Sequence, residues 1–144
     1  ANAKAAPMSD AVRETLDRYY AALKAGDRAG LRGVVADDIE VHYPAPEGLL
    51  PWAGDWRGFD GFERFIATVG DHLVIDAVEP LAVHVAGDTV ITVLRGEWTV
   101  KATGRKVRTE TVNMFTMRDE KITRYQVFSD TAALGLGLGR LAVA

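Results

Sequence analysis

The chain contains no cysteine, which excludes disulfides, thiolate metal ligands and cysteine nucleophiles and leaves a reducing cytoplasm as the expected compartment. No apolar run approaches the roughly 18 residues that a membrane-spanning helix needs, so we expect no membrane association. The formal net charge is −3 and both signs are dispersed along the chain, which argues against nucleic acid as a partner.

The length of 144 residues suits one domain that can bury a core without covalent staples. We expect residues 1–8 to form a tail, disordered or added for expression, because they lack the layout of a signal peptide and Met8 resembles a natural start. The domain should then span residues 9–130. Residues 131–144 are expected to form a loose, semi-apolar tail, since the glycines that alternate with leucines there are not followed by the helix and strand of a dinucleotide motif.

Helical spacing dominates the first half of the chain. Ser9 can cap a first helix, Gly26 can end it in the left-handed conformation, and Asp27 can cap a second helix. Asp60 and Glu63 have the spacing of a capping box at the start of a third helix. The apolar positions of the first helix recur every three or four residues and should lie on one buried face: Val12, Leu16, Tyr19 and Leu23.

The second half of the chain alternates between apolar and polar residues, which is typical of strands. The predicted strands are Ile39–Tyr43, Leu73–Val78, Leu81–Val85, Thr89–Lys101, Val107–Met117 and Ile122–Phe128. Three prolines between Pro44 and Trp56 predict an irregular loop there. Helices first and strands afterwards predict an α+β domain in which helices cover one face of a bent antiparallel sheet.

The alternation also predicts which side chains face the helices. Charged residues such as Arg95 and Glu110 fall on the outer face of the sheet, whereas the covered face carries several polar and aromatic side chains. These are Trp98, Thr109, Thr111, Asn113, Phe115 and Tyr125, together with the apolar Val127. A buried polar group needs a partner or costs about 1–3 kcal/mol, so threonines and an asparagine on this face favour a partly hydrated cavity. The three histidines lack metal-ligand spacing, and we expect neither a metal nor another cofactor.

Four segments carry a family resemblance: RYYAALKAGD (18–27), VVADDIEVHYP (34–44), WAGDWRGFDGFERFI (52–66) and MFTMRDEKITRYQVFSD (114–130). In this order and spacing they resemble the nuclear transport factor two-like superfamily, in its ketosteroid-isomerase and SnoaL-like polyketide-cyclase branch. The resemblance implies a cone-shaped, curved antiparallel sheet with three N-terminal helices packed on its concave face. It also implies a pocket at the open end and a homodimer formed through the sheet.

The resemblance places family positions on particular residues. The tyrosine of ketosteroid isomerases falls on Tyr19, their base on Tyr43 and their second aspartate on Asn113. The acidic residue of the cyclase and epoxide-hydrolase branches falls on Val127, six positions after Lys121. A tyrosine with an ordinary pKa of about 10 is a poor base near neutral pH, so the standard isomerase mechanism is disfavoured. All three familiar acid positions are therefore empty.

Two functional hypotheses follow from these residues. In the first, the protein is a cofactor-independent isomerase, cyclase or dehydratase acting on an apolar, carbonyl-bearing molecule: Tyr19 and Asn113 polarise an oxygen and Tyr43 positions or exchanges a proton. Trp52 and Trp56 either close the pocket mouth or anchor the proline-rich loop. The remaining walls would come from Trp98, Thr111, Phe115, Tyr125 and Val127. In the second hypothesis the protein binds or carries an apolar metabolite unchanged. A third possibility is a filled interior, with the sheet serving assembly only.

Overall fold

The computed structural model describes the backbone of residues 5–144 and the side chains of residues 10–144; the first four residues of the expected tail lie outside it. The described helices are α1 (Ala5–Ala25), α2 (Arg28–Val34), α3 (Gly58–His72) and α4 (Thr131–Gly137). The described strands are β1 (Val35–Tyr43), β2 (Gly54–Arg57), β3 (Leu73–Ala86), β4 (Thr89–Val100), β5 (Lys106–Arg118) and β6 (Lys121–Phe128). Within this part of the chain, no helix is long and apolar enough to cross a membrane.

The strands form one curved sheet in the order β2-β1-β6-β5-β4-β3, which confirms the α+β class and the cone-like fold with helices against its inner face. The sheet is mixed rather than wholly antiparallel, because β1 pairs with β6 in parallel. Tight turns join β3 to β4, β4 to β5 and β5 to β6, and a tight turn imposes antiparallel pairing. β1 reaches β6 from a distant part of the sequence, so no hairpin fixes its direction.

The helix ends agree with the sequence in two places and differ in two. Gly26 adopts a φ of +65° after α1, and the Asp27 side chain accepts a hydrogen bond from the Gly30 backbone N–H at 2.9 Å. The capping-box prediction is wrong: α3 begins earlier, at Gly58, and Glu63 instead pairs with Arg28, with Nε and Oε2 2.6 Å apart. The helix α1 also begins before Ser9, so residues 5–8 of the expected tail are helical. Alanines at its start favour helix, and proline is tolerated in a first turn.

The strand boundaries differ from prediction mainly in β3 and β2. β3 is one strand with two pairing irregularities, where two shorter strands were expected. Pro80 is tolerated within it because β3 lies at the edge of the sheet and pairs on one side only. The loop after Pro44 contains the short strand β2, whose cross-strand partner is β1. Both errors arise because pairing with a neighbouring strand overrides local turn signals.

The expected C-terminal tail contains α4, which packs against the sheet. Asp130 caps it by accepting a hydrogen bond from the Ala133 backbone N–H at 3.0 Å. A Cβ added at Gly135 would lie 2.6 Å from Leu49 Cδ1, and one at Gly137 would overlap Val107. The alternating glycines therefore allow α4 to approach the loop and β5 closely. Leu134 is buried at this contact.

The core lies between α1, α2 and α3 and the inner face of the sheet. The predicted alternation is confirmed on β5, where Thr109, Asn113 and Phe115 are buried while Arg108 and Glu110 are exposed. The largest buried side chains are mainly aromatic or branched: Trp52, Tyr19, Phe62, Phe115, Ile39 and Ile122. The covered face of the sheet therefore holds a mixture of apolar groups and uncharged polar groups.

Candidate functional site

A cluster of aromatic side chains joins α1 to the middle of β5 and β6. The Tyr19 ring lies 5.6 Å from the Phe115 ring and 6.1 Å from the Tyr125 ring, both at steep edge-on angles. Phe115 and Tyr125 are direct cross-strand partners, so their rings stack with centroids 4.9 Å apart and planes 7° apart. The predicted residues Tyr19, Phe115 and Tyr125 are thus brought together.

A polar group of three side chains adjoins this cluster. Asn113 Nδ2 donates a hydrogen bond to the Tyr20 hydroxyl oxygen at 3.3 Å, and that hydroxyl lies 3.5 Å from Thr92 Oγ1. Asn113 and Thr92 are cross-strand partners on β5 and β4, which places both beneath α1. Asn113 and Thr92 are 3% and 2% exposed, so these contacts are made away from bulk solvent. Val127, the β6 partner of Asn113, is also buried.

Two buried polar atoms are unsatisfied among the described residues: the Tyr19 hydroxyl oxygen, Oη, and Asn113 Oδ1. We call these two atoms the open pair. Tyr19 is only 1% exposed, so its hydroxyl is as enclosed as any core group. Leaving such a group without a partner costs about 1–3 kcal/mol, and native proteins usually satisfy it with ordered water or a ligand. An ordered water molecule or a ligand beside either atom would remove this cost. The two described cavities border other residues.

The tyrosines of the cluster are suited to donate protons in hydrogen bonds rather than to act as bases. Burial raises the pKa of Tyr19 above its ordinary value, and the neighbouring Tyr20 adds to this rise. The nearby Tyr125 hydroxyl opposes the rise without meeting the distance and angle of a hydrogen bond to Tyr19. Burial likewise raises the pKa values of Tyr20, Tyr43 and Tyr125. Each phenol is consequently neutral near pH 7 and can donate to an acceptor.

Tyr43 occupies a neighbouring position. Its hydroxyl lies 2.6 Å from Ser129 Oγ, and its ring meets that of Trp52 edge-on at 6.2 Å. Phe65 contacts both Tyr43 and Tyr125, with ring centroids 6.0 and 6.2 Å apart, and so links Tyr43 to the cluster. The Tyr43 hydroxyl is therefore already engaged at the end of β1, in contrast to the Tyr19 hydroxyl.

Trp98 and Thr111 belong to a second stretch of the inner face, nearer the β4–β5 hairpin. Trp98 Nε1 donates to Thr109 Oγ1 at 3.0 Å, and Thr109 Oγ1 lies 3.4 Å from Thr111 Oγ1. The indole lies across Gly96, where a Cβ would come within 2.7 Å of Trp98 Nε1. Thr109 and Asn113 are four residues apart on one strand, or about 13 Å, so this stretch extends the polar face away from the open pair.

The two loop tryptophans have different surroundings. Trp52 is 1% exposed and its backbone carbonyl accepts a hydrogen bond from Trp56 Nε1 at 3.0 Å, which favours the loop-anchoring alternative. Trp56 also borders a surface cavity of about 220 Å³ beside β1 and β2. Polar and charged side chains line this cavity, including His42 and Asp55, whose Nδ1 and Oδ1 atoms are 2.6 Å apart. Because these two residues are exposed cross-strand partners, their contact is accounted for by strand pairing.

Sequence reasoning missed Tyr20 and Ser129. Tyr20 lies four residues after Leu16 and therefore at the edge of the same helical face, a signal that could have included it. The contact of Ser129 with Tyr43 joins residues 86 positions apart, which no local pattern reveals. Among the described residues, no group of three or more histidine or acidic side chains could hold a metal ion.

The chain is similar to several known proteins. The model of the SnoaL-like domain matches residues 16–125. An NTF2-like protein from Burkholderia xenovorans LB400 is 28% identical, with a TM-score of 0.81 over 90% of this chain and 96% of that one. An NTF2-like protein from Burkholderia thailandensis E264 is 26% identical, with a TM-score of 0.76 over 88% and 96%. TerC, co-crystallised with polyporic acid, is 25% identical, with a TM-score of 0.78 over 90% and 98%. No match was found among curated proteins.

Proposed function

The chain belongs to the SnoaL-like domain family, and from this premise we propose that it binds a small apolar, carbonyl-bearing molecule between α1 and the inner face of the sheet. On this proposal the protein is a cofactor-independent isomerase, cyclase or dehydratase. The observation that carries the proposal is the open pair, two enclosed polar atoms that an occupant would satisfy. TerC, a structure of similar fold, holds polyporic acid, which supports a small-molecule role for this architecture.

Chemically, Tyr19 is the group best placed to polarise a carbonyl. Its hydroxyl is neutral and enclosed, and a donor in such surroundings stabilises developing negative charge on oxygen more strongly than a donor in water. Phe115 and Tyr125 supply apolar surface beside it. The expected role of Tyr43 narrows to positioning, because its raised pKa and its contact with Ser129 both disfavour proton abstraction.

The second candidate function is binding or carriage of the same kind of molecule without transformation. The observation that favours it is the composition of the cluster: among the described side chains, its polar members are tyrosine, threonine and asparagine, with neither a carboxylate nor an imidazole. A reaction that requires proton abstraction from carbon would then lack an evident protein base.

Deuterium exchange into a ketone separates the two functions. The protein is incubated with 2-tetralone in deuterated buffer at neutral pH, and binding and incorporation at the carbons beside the carbonyl are measured by NMR. Protein-dependent exchange that is lost in Tyr19→Phe and retained in Gly33→Ala, a change in open space on α2, supports the enzyme. Binding without exchange supports the carrier. If neither binding nor exchange is observed with 2-tetralone or with 1-tetralone, the proposed ligand class is contradicted.

We also propose that the protein forms a homodimer through the sheet. Four apolar side chains on the edge strand β3 are 39–53% exposed: Val74, Ile75, Val78 and Leu81. An edge strand with exposed apolar side chains favours association with another chain. Sedimentation at micromolar concentration should give a dimer for the unmodified chain and a monomer for the Ile75→Glu, Val78→Glu double variant. A monomer in both cases would contradict the proposal.

A further inference from the structure

The open pair consists of two atoms with different hydrogen-bonding requirements. The Tyr19 hydroxyl carries a proton and can donate it, whereas Asn113 Oδ1 is a carbonyl oxygen and can only accept. The Asn113 amide is held in this orientation because its Nδ2 already donates to the Tyr20 hydroxyl at 3.3 Å. An occupant with a single carbonyl would satisfy Tyr19 and leave Asn113 Oδ1 unsatisfied.

Among the described residues, the polar contacts of Tyr19, Tyr20 and Asn113 are with uncharged side chains. The polar side chains next to the open pair are Tyr20, Thr92 and Tyr125, and the charged residues of β5 point the other way, with Arg108 and Glu110 exposed. A charged group brought into this region would lose its hydration without gaining an opposite charge, which is costly. The recognition chemistry therefore selects against ions at the polar end of the ligand.

We propose that the ligand is a neutral molecule with both a hydrogen-bond acceptor and a hydrogen-bond donor on an apolar frame, as in a hydroxyketone. Its carbonyl accepts from the Tyr19 hydroxyl and its hydroxyl donates to Asn113 Oδ1. This inference rests on the proposed function and deepens it, because it specifies the polar groups of the ligand and assigns Asn113 to the recognition of a donor. It replaces the sequence expectation that Asn113 itself donates.

In the alternative arrangement the side-chain amide of Asn113 is rotated by about 180°, which exchanges the positions of Oδ1 and Nδ2. Tyr20 would then donate to Oδ1, and Nδ2 would face the ligand and require a second acceptor. A ligand hydroxyl and its methyl ether distinguish these arrangements, because the ether keeps the acceptor oxygen and loses the donor. The proposal requires that the ether bind more weakly than the alcohol.

The test is a calorimetric titration of the unmodified protein at pH 7 with matched bicyclic probes. These are tetralin, 1-tetralone, 2-hydroxy-1-tetralone, 4-hydroxy-1-tetralone and the methyl ethers of both alcohols. Two hydroxyl positions are included so that the spacing of the oxygens does not decide the result. At least one alcohol should bind about five- to tenfold more tightly than its ether and than 1-tetralone, the effect of one buried hydrogen bond.

The variants assign this preference to residues. In Asn113→Leu the alcohol should no longer bind more tightly than its ether. In Tyr19→Phe the alcohol should still bind more tightly than its ether, but 1-tetralone should no longer bind more tightly than tetralin. Gly33→Ala, in open space on α2, should keep both preferences. If Asn113→Leu does not fold, the comparison of alcohol and ether on the unmodified protein still decides. Binding of the ketones with equal affinity for alcohol and ether would overturn this inference alone. Failure of every probe to bind would overturn the proposed function with it.

Discussion

Replacing Tyr19 with phenylalanine should not destabilise the ligand-free protein. Ring packing against Phe115 and Tyr125 is kept in this variant, and only the hydroxyl of the open pair is removed. Tyr43→Phe is the matched control, because it removes a hydroxyl from another buried tyrosine, whose oxygen lies 2.6 Å from Ser129 Oγ. The two substitutions therefore differ mainly in whether a hydrogen bond is lost.

The expected magnitudes follow from that difference. An unsatisfied buried hydroxyl costs about 1–3 kcal/mol, so its removal should leave the free energy of unfolding unchanged or raise it by up to about 2 kcal/mol. The free energy of unfolding should stay unchanged if ordered water already satisfies the Tyr19 hydroxyl. Loss of the hydrogen bond in Tyr43→Phe should lower the free energy of unfolding by about 1 kcal/mol. Tyr19 would then be a residue kept for binding at some expense of stability.

The assay is urea denaturation of both variants and the unmodified protein, followed by circular dichroism without added ligand. With m-values of about 1–3 kcal/mol per molar urea, the midpoints of the two variants should differ by about 0.3 M or more, with Tyr19→Phe the higher. A loss of stability in Tyr19→Phe equal to or larger than that in Tyr43→Phe would refute the reasoning. It would mean that the Tyr19 hydroxyl already has a protein partner.

The remaining predictions concern pH and close packing. All four tyrosines of the chain have pKa values raised by burial, so the folded state should keep their protons where the unfolded chain loses them. Their contribution to stability is present below about pH 10 and is lost as the pH rises further. Phenolate absorbance should therefore increase only together with unfolding. Ionisation of the tyrosines near pH 10 in the folded protein would contradict this prediction. Gly33→Ala, in open space on α2, should raise the free energy of unfolding by up to about 1 kcal/mol, whereas Gly137→Ala, against Val107, should lower it by about 1–3 kcal/mol. Equal thermal denaturation midpoints for these two variants would contradict the described packing of α4.

Local patterns were sufficient to predict the inner face of the sheet. Alternation along β5 correctly placed Asn113 and Phe115 beneath the helices, because the side-chain period of two does not depend on distant contacts. The parallel pairing of β1 with β6 could not be predicted in this way, since it depends on how separate parts of the chain meet. The capping box at Asp60 failed for a related reason: Glu63 binds Arg28 on another helix instead of its own helix start.

The site itself was predictable only in part. Sequence spacing identified Tyr19 as buried, but the state of its hydroxyl depends on its burial and on the neighbouring Tyr20 and Tyr125. Asn113 was selected correctly as a buried polar residue. Its orientation, with Nδ2 towards Tyr20, is set by a contact between residues 93 positions apart. The residue type suggested a donor to the ligand, whereas our proposal assigns Asn113 Oδ1 as an acceptor.

Electron density at the open pair tests the central claim most directly. In a high-resolution crystal structure we expect an ordered water molecule or ligand within hydrogen-bonding distance, about 2.6–3.2 Å, of both Tyr19 Oη and Asn113 Oδ1. The same density should be absent beside residue 19 in crystals of Tyr19→Phe. If both atoms of the open pair instead bond to other side chains, with the space between α1 and the sheet filled by protein, the account of a ligand-binding interior is contradicted.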